Sequence, residues 1–174
     1  PELEEFRMFR TSRIDRAFNM IRGNEAEISI TIQDVAYHQG EFHARERHQA
    51  TLLSMSLEHA IPVFTLDKEH LFDKIAALAG YDDIDFKEFP EFSSTYKLKG
   101  PNESEIRELF DPIFITFLTG IGAEHIESTG REILVVMKQR ICTEQEILTL
   151  VGVGSDFALM LKESGGSTIG SSEI

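Results

Sequence analysis

Histidine and arginine side chains are concentrated between residues 38 and 48, and they are the first candidates for chemistry in this sequence. Three imidazoles, those of His38, His43 and His48, could bind a metal ion if they converged on one point. The stretch that holds the last two is expected to be a strand, however, and residues five apart along a strand point to opposite faces of a sheet. His43 and His48 are therefore not expected to meet, and the sequence predicts no metal site.

His43 instead alternates with Arg45 and Arg47 in the run HARER, which places the three side chains on one face of the expected strand. They form a cationic stripe in a chain whose formal net charge is -13 at pH 7. One interpretation is a binding site for an anionic ligand, formed by His43, Arg45 and Arg47. The other is a strand face in solvent, whose cations pair with acidic neighbours.

The remaining candidates lack the pattern of a catalytic or cofactor site. The run VGVGSD (residues 151–156) has no third glycine of a dinucleotide fingerprint and lies in a helical pattern, so its glycines are expected to allow close packing or a kink. Cys142, the single cysteine, precedes a helix-capping threonine and is expected to pack rather than react. The acidic loop at residues 81–92 lacks the glycine and the spacing of an EF-hand. The sequence therefore predicts no catalytic residues and no cofactor.

Charge and hydropathy exclude two classes of protein. A surface with a net charge of -13 would repel phosphate backbones, so no nucleic acid is expected as a partner. No apolar run approaches the roughly 20 residues of a membrane-spanning helix. Because the chain begins with Pro1 and not with methionine, an upstream membrane anchor that is absent from this sequence is compatible with it.

Residues 1–23 form the only locally basic segment of the chain. It contains five arginines: Arg7, Arg10, Arg13, Arg16 and Arg22. Its apolar residues have a partly helical spacing: Phe6, Phe9, Ile14, Phe18 and Ile21. One interpretation is a juxtamembrane segment that contacts anionic lipid. The other is a terminal helix packed on the domain, with its arginines in solvent.

Period-two alternation of apolar residues predicts strands in the first part of the chain. Residues 27–38, together with a strand from residue 42 to about residue 55, are expected to form a long antiparallel hairpin. A short strand at residues 61–66 contains a proline and is expected at a sheet edge. Asp67 is then expected to cap a helix over residues 68–80.

Helix-capping signals dominate the second part of the chain. A strand at residues 94–99 is followed by a helix that begins at Asn102, with Glu105 in the capping-box position. Pro112 is expected to end this helix and to start another. The last expected elements are a hairpin over residues 123–138 that turns near Gly130, a helix capped by Thr143 and Glu146, and a Gly/Ser-rich tail.

Antiparallel strand pairs with segregated helices predict an α+β fold. We expect an antiparallel sheet built from two hairpins plus extra strands, with helices packed on one face. A chain of 174 residues suits a single domain, expected at residues 1–163 with residues 1–23 as its basic lead segment. Residues 164–174 are expected to be a disordered tail.

Two segments are informative as whole patterns. The first is FRMFRTSRIDRAFNMIRG, followed by a strand that ends in DVAYHQGEFHARERHQAT. The second is FKEFPEFSSTYKLKGPNESEIRELFDPIFITFL, with its I-R-x-L-F-x-P helix. Together they resemble an uncharacterised family of bacterial proteins in which a domain of unknown function follows one or two membrane helices. The strand end QDVAY departs from the family's aromatic-rich FDY-x-Y. Because the family has no established activity, the resemblance implies only a membrane-tethered domain that faces the cytoplasm.

Three functions are compatible with the sequence, and the lack of a catalytic pattern favours the first. The first is a non-catalytic binding or scaffolding domain of a membrane-tethered bacterial protein, with a protein partner or a second copy of itself. Its contact with the membrane would come only from an upstream anchor or from the basic lead segment. The second is a small-molecule module that binds an anionic ligand beside Arg45 and Arg47. The third is an enzyme with a dispersed site, for example a hydrolase that uses His43 or His125 with an acidic partner.

Overall fold

Alternating apolar side chains build a seven-stranded sheet in the computed structural model, which describes residues 3–10, 12–39, 46–68 and 81–166. All strand pairs are antiparallel, and the order in the sheet is β1-β2-β3-β7-β6-β4-β5. The strands are β1 (Arg13–Glu25), β2 (Ile28–Gln39), β3 (Glu46–Ser56), β4 (Phe64–Lys68), β5 (Tyr96–Lys99), β6 (His125–Ser128) and β7 (Glu132–Val136).

Three of the described helices begin where the sequence supplies a side-chain cap. After a 3-10 turn (Leu3–Glu5), they are α1 (Arg7–Arg10), α2 (Pro90–Thr95), α3 (Glu103–Leu109), α4 (Pro112–Ile121) and α5 (Glu144–Gly166). Asn102 accepts a hydrogen bond from the amide of Glu105, and Asp111 accepts one from the amide of Phe114. The caps predicted at Asn102 and Thr143 and the break at Pro112 are therefore confirmed, as is the antiparallel α+β fold.

The larger core lies between one face of the sheet and helices α2 to α5, and we call this side of the sheet the helix face. Strand residues with side chains on this face include Ile30, Leu53 and Val135. Aromatic rings fill the space above them, with Phe110 in edge-to-face contact with Phe64 and Phe114 at centroid distances of 5.0 and 5.3 Å. This packing fixes the helices on the sheet.

A second, smaller core lies on the opposite side of the sheet, which we call the lead face. Here the first described residues of the chain supply four buried side chains: Leu3, Phe6, Met8 and Phe9. They pack on the odd face of β2 and on its neighbours: Val35, Tyr37, Ala50, Leu52, Leu134 and Val136. The lead residues 3–10 therefore cover a sheet face that the larger helices leave open.

The structure corrects the prediction of a helical lead segment. The helix is confined to Arg7–Arg10, and Arg13–Glu25 is strand β1. The strand forms because it pairs with β2 over its whole length, from Arg13 opposite His38 to Glu25 opposite Ile28. This backbone pairing outweighs the partly helical spacing of the apolar residues.

Three local predictions in the middle of the chain are wrong. Asp67 does not cap a helix, because it lies in β4 opposite His125. β4 is not an edge strand, since it begins at Phe64, after the proline, and lies between β5 and β6. Part of the strand predicted at residues 94–99 is helix α2, which starts at Pro90, a residue that favours the first turn of a helix.

Other predictions fall partly outside the described residues. These are the helix over residues 68–80, beyond residue 68, and the start of the second hairpin strand at residues 42–45. At the other end of the chain, α5 extends to Gly166, past the predicted domain boundary at residue 163. Residues 167–174 of the predicted tail lie outside the described part.

Substitution by alanine is expected to have opposite effects on stability at two glycines, Gly100 and Gly120. A Cβ atom at Gly100 would lie 2.4 Å from the carbonyl oxygen of Val63 and 2.4 Å from Cδ1 of Ile106, whereas one at Gly120 in α4 would meet nothing within 4 Å. We expect Gly100→Ala to lower the free energy of unfolding by about 1–3 kcal/mol through overpacking. Gly120→Ala should leave it unchanged or raise it by up to about 1 kcal/mol. Urea unfolding of both variants measures this, and equal effects would contradict the packing described at Gly100.

Candidate functional site

Only one residue of the predicted anion site lies in the described part of the chain. Arg47 is exposed on β3, directly opposite His38 of β2. His43 and Arg45 lie outside the described residues. The site formed by these three residues therefore stays a prediction.

The structure brings together a different group of ionisable side chains, namely Asp67, His125 and Glu127. Nδ1 of His125 lies 2.6 Å from Oδ1 of Asp67, and its Nε2 lies 3.5 Å from Oε2 of Glu127. The first distance is that of a strong charge-assisted hydrogen bond. The second is long, and Nε2 has no hydrogen-bond partner, so Glu127 acts on the imidazole mainly through its charge.

Strand pairing explains how residues far apart in the chain form this cluster. β4 and β6 are neighbours, and Asp67 lies directly opposite His125 in their register. Glu127 follows His125 by two residues, so both side chains point to the same face of the sheet. This is the lead face, because the intervening Ile126 belongs to the core on the helix face.

The lead residues close over the cluster. The backbone amide of Arg7 donates a hydrogen bond of 2.7 Å to Oε1 of Glu127, and the amide of Met8 donates one of 3.3 Å to Oε2. The side chains of Phe6 and Met8 are buried beside these amides. Glu127 thus fastens the start of the chain to the sheet.

The environment of His125 favours its charged form. Burial alone would lower its pKa, but the hydrogen bond with Asp67 and the negative charges of Asp67 and Glu127 outweigh burial and raise the pKa to about 9. At neutral pH His125 is therefore an imidazolium ion, held between Asp67 and Glu127. A histidine that acts as a general base has to be neutral and within reach of a substrate. His125 is 1% exposed, so this arrangement serves to hold strands and the lead segment together.

The raised pKa predicts how stability depends on pH. Because the folded-state pKa of about 9 lies above the ordinary value of 6.5, the stabilisation is fully present below about pH 6.5 and is lost as pH rises through 9. Urea unfolding of the wild-type protein and of His125→Gln at pH 6, 8 and 10 measures it. We expect the difference in unfolding free energy between the two proteins to shrink with rising pH. A difference that is constant over this range would contradict the charged state of His125.

The other residues considered in the sequence have structural roles. A Cβ atom at Gly154 would lie 3.2 Å from side-chain atoms of both Ile30 and Leu53, which confirms that this glycine allows α5 to approach the sheet. The amide of Cys142 donates a hydrogen bond to the hydroxyl of Thr51 just before α5 begins. In the acidic loop, Asp83 accepts a hydrogen bond from the amide of Leu98 and forms an ion pair of 2.9 Å with Lys97.

The described surface has shallow clefts. One of about 480 Å³ lies beside the lead residues and has side chains of both charges along its wall, among them Glu4, Arg7 and Arg10. Within residues 3–10, 12–39, 46–68 and 81–166, no group of three or more His, Cys, Asp and Glu side chains could hold a metal ion. In the same part of the chain, no helix is long and apolar enough to cross a membrane.

Comparison with known proteins adds information on the fold. No protein-family model matches the sequence, and no curated protein matches it. Among solved structures, the mycobacterial trehalose monomycolate transport factor A, TtfA, is similar, with a TM-score of 0.57 and 14% sequence identity. The match covers 85% of this chain and 71% of that chain. At this level of identity the likeness shows a shared α+β fold.

Proposed function

We propose that this chain is a non-catalytic binding domain that acts as a scaffold for a protein partner, within a bacterial protein that is tethered to the membrane. The observation that carries the proposal is an apolar stripe on the outer side of α5. Large exposed apolar side chains that line up on one helix side mark surfaces that bind other proteins. The burial of His125 also supports this proposal, because its imidazole is closed off from solvent and cannot reach a substrate.

The stripe consists of Leu148, Val151 and Leu159, whose exposed fractions are 61, 43 and 47%. At about 100° of rotation per residue, the three lie within an arc of roughly 80°. Gly152 borders this arc, about 20° beyond Leu159 in rotation, and a Cβ atom there would meet nothing within 4 Å. The opposite side of α5, with Leu150, Val153 and Phe157, is buried against the domain. A helix of the partner could therefore approach α5 closely at Gly152, between two leucines.

A double substitution tests the proposal. We expect the wild-type protein, produced in cells at its natural level, to migrate in native electrophoresis as a complex larger than one chain, because a partner occupies the stripe. Leu148→Lys with Leu159→Lys should release the single chain, since two charges are then forced into an apolar contact. Thr149→Lys is the matched control, because residue 149 is exposed but lies about 100° round the helix from residue 148. A wild-type protein that migrates as a single chain would overturn the proposal.

The membrane tether is the second part of the proposal, and it rests on the family resemblance and on the arginines near the start of the chain. Carbonate extraction of membranes from cells that make the complete protein tests it. Retention in the membrane pellet is the expected result, and full release into the supernatant would contradict it. The structural neighbour carries the name of a transport factor, and a binding role in transport is one form that the proposed function can take.

A further inference from the structure

Three neighbouring strands place basic side chains in a row at one end of the sheet. Arg13 of β1 lies directly opposite His38 of β2, and His38 lies directly opposite Arg47 of β3. Residues that face each other across antiparallel strands have Cβ atoms about 5 Å apart on the same face of the sheet. The row Arg13–His38–Arg47 is therefore continuous across the three strands.

The row lies on the helix face, beyond the start of α5. The face is marked by Thr51, whose hydroxyl donates a hydrogen bond to Asp34 and accepts one from the amide of Cys142. Arg47 is four residues from Thr51 along β3, which places it on the same face. The other end of α5 is near the β1–β2 turn, where Lys162 lies 4.0 Å from Glu27. α5 therefore covers the other half of these strands.

A bulge in β1 adds a further arginine to this face. The register of β1 shifts between Ile14 and Arg16, so that Arg16 lies opposite Ala36. Regular alternation would send residues 13 and 16 to opposite faces, and the extra residue Asp15 brings both to the same one. The guanidinium of Arg16 lies over the ring of Phe18, 4.5 Å from its centroid, which holds it on this face.

The charges of the row are only partly neutralised. Asp15 lies 3.6 Å from Nε of Arg13 and 2.9 Å from Nδ1 of His38. Among the described residues, no carboxylate forms an ion pair with Arg16 or Arg47, and both arginines are exposed. On this face the three guanidinium groups outnumber two carboxyl groups, those of Asp15 and of Asp34, which is hydrogen-bonded to Asn19 and Thr51. An excess of positive charge therefore remains here, on a protein whose net charge is -13.

We propose that the row Arg13–His38–Arg47, together with Arg16 and Gln49, binds phosphate groups. Guanidinium groups match the geometry of phosphate oxygens and bind them through pairs of parallel hydrogen bonds. Gln49 lies opposite Ala36, next to the row, and adds an amide donor. A cleft of about 320 Å³ borders Arg47 and Gln49. This site is separate from the apolar stripe on α5, so the test of phosphate binding is independent of the test of the proposed function.

Two probes distinguish the sources of the phosphate group. Titration calorimetry with pyrophosphate measures binding of a soluble ligand, and sedimentation with phosphatidylglycerol/phosphatidylcholine vesicles measures binding of lipid headgroups. We expect the full chain to bind at least one probe. Arg13→Gln with Arg47→Gln should weaken that binding at least about tenfold, because two charge-assisted contacts are lost.

The matched control removes the same charge elsewhere. The control double variant is Arg22→Gln with Arg131→Gln. Arg22 is in β1, opposite Thr31 on the lead face, and Arg131 is an exposed residue that directly precedes β7. Its binding should stay within about twofold of the wild type. Binding of pyrophosphate assigns the site to a soluble phosphate, and binding of vesicles alone assigns it to a headgroup. Binding of neither probe, or an equal loss in both double variants, would overturn the proposal.

Discussion

Phe110→Ala is expected to lower the free energy of unfolding by about 3–5 kcal/mol, the range for removal of a large aromatic side chain from a packed core. Phe110 ends α3 and is 2% exposed. Its ring lies at the centre of an aromatic cluster with Phe64, Phe92 and Phe114 as neighbours, at centroid distances of 5.0, 6.3 and 5.3 Å. Removal leaves a cavity that the surrounding strands and helices cannot close, and urea unfolding measures the loss.

Phe114→Ala should have an effect of the same size, because its ring also contacts Phe157 of α5 in an edge-to-face arrangement at 5.6 Å. Ile113→Ala is the control, since Ile113 precedes Phe114 on the same helix but is 68% exposed. Its effect should be below about 0.5 kcal/mol. Losses below about 1 kcal/mol at both phenylalanines would show that α3 and α4 present other faces to the sheet.

Asp67→Ala is the second substitution with a large expected effect, about 3–5 kcal/mol. It removes one partner of a buried ion pair and leaves the imidazolium of His125 with a single, more distant carboxylate. Asp67 and His125 are both almost fully buried, so water cannot replace the lost hydrogen bond. Thermal or urea unfolding at pH 7 measures the effect.

An exposed ion pair provides the comparison for Asp67. Glu103 and Arg107 lie 2.7 Å apart, one turn apart on the surface of α3. Glu103→Ala should cost less than about 1 kcal/mol, because solvent screens an exposed pair. If Asp67→Ala has an effect as small as that of Glu103→Ala, the cluster around His125 does not hold the strands together.

The second half of the fold was predictable from local signals. Asn102, Pro112 and Thr143 each carry a cap or a break that depends on residues within one helical turn, and the structure has helix boundaries at all three places. The hairpin of β6 and β7 turns at Gly130, where φ is +108°, a backbone conformation that favours glycine. Such signals need no knowledge of distant parts of the chain.

The lead segment shows where local signals fail. Phe6 and Phe9 are buried, but Met20 and Ile21 are exposed, so one apolar pattern serves two different elements. Whether residues 13–25 become helix or strand is decided by pairing with β2, which is a tertiary contact. The spacing of apolar residues in this segment does not by itself distinguish a helix from a strand.

The cluster around His125 could not be predicted from the sequence, for a related reason. The sequence does not identify an acidic partner for His125, and Asp67 precedes a helical pattern, where a single aspartate is usually a helix cap. The two residues are 58 positions apart, and only the register of β4 and β6 brings them together. Likewise, alternation along the sequence places Arg47 in a stripe on one strand. The row that joins Arg47 to His38 and Arg13 is defined only by the pairing of three strands.

Recognition of a protein partner by the outer side of α5 is tested most directly by photocrosslinking in cells that make the complete protein. A photoreactive amino acid at position 152 lies between Leu148 and Leu159, and one at position 105 lies on the exposed side of α3 as the control. We predict a discrete adduct from position 152, none from position 105, and loss of the adduct when Leu148→Lys and Leu159→Lys are present. No adduct from position 152, or the same adduct from both positions, would contradict a binding surface on α5.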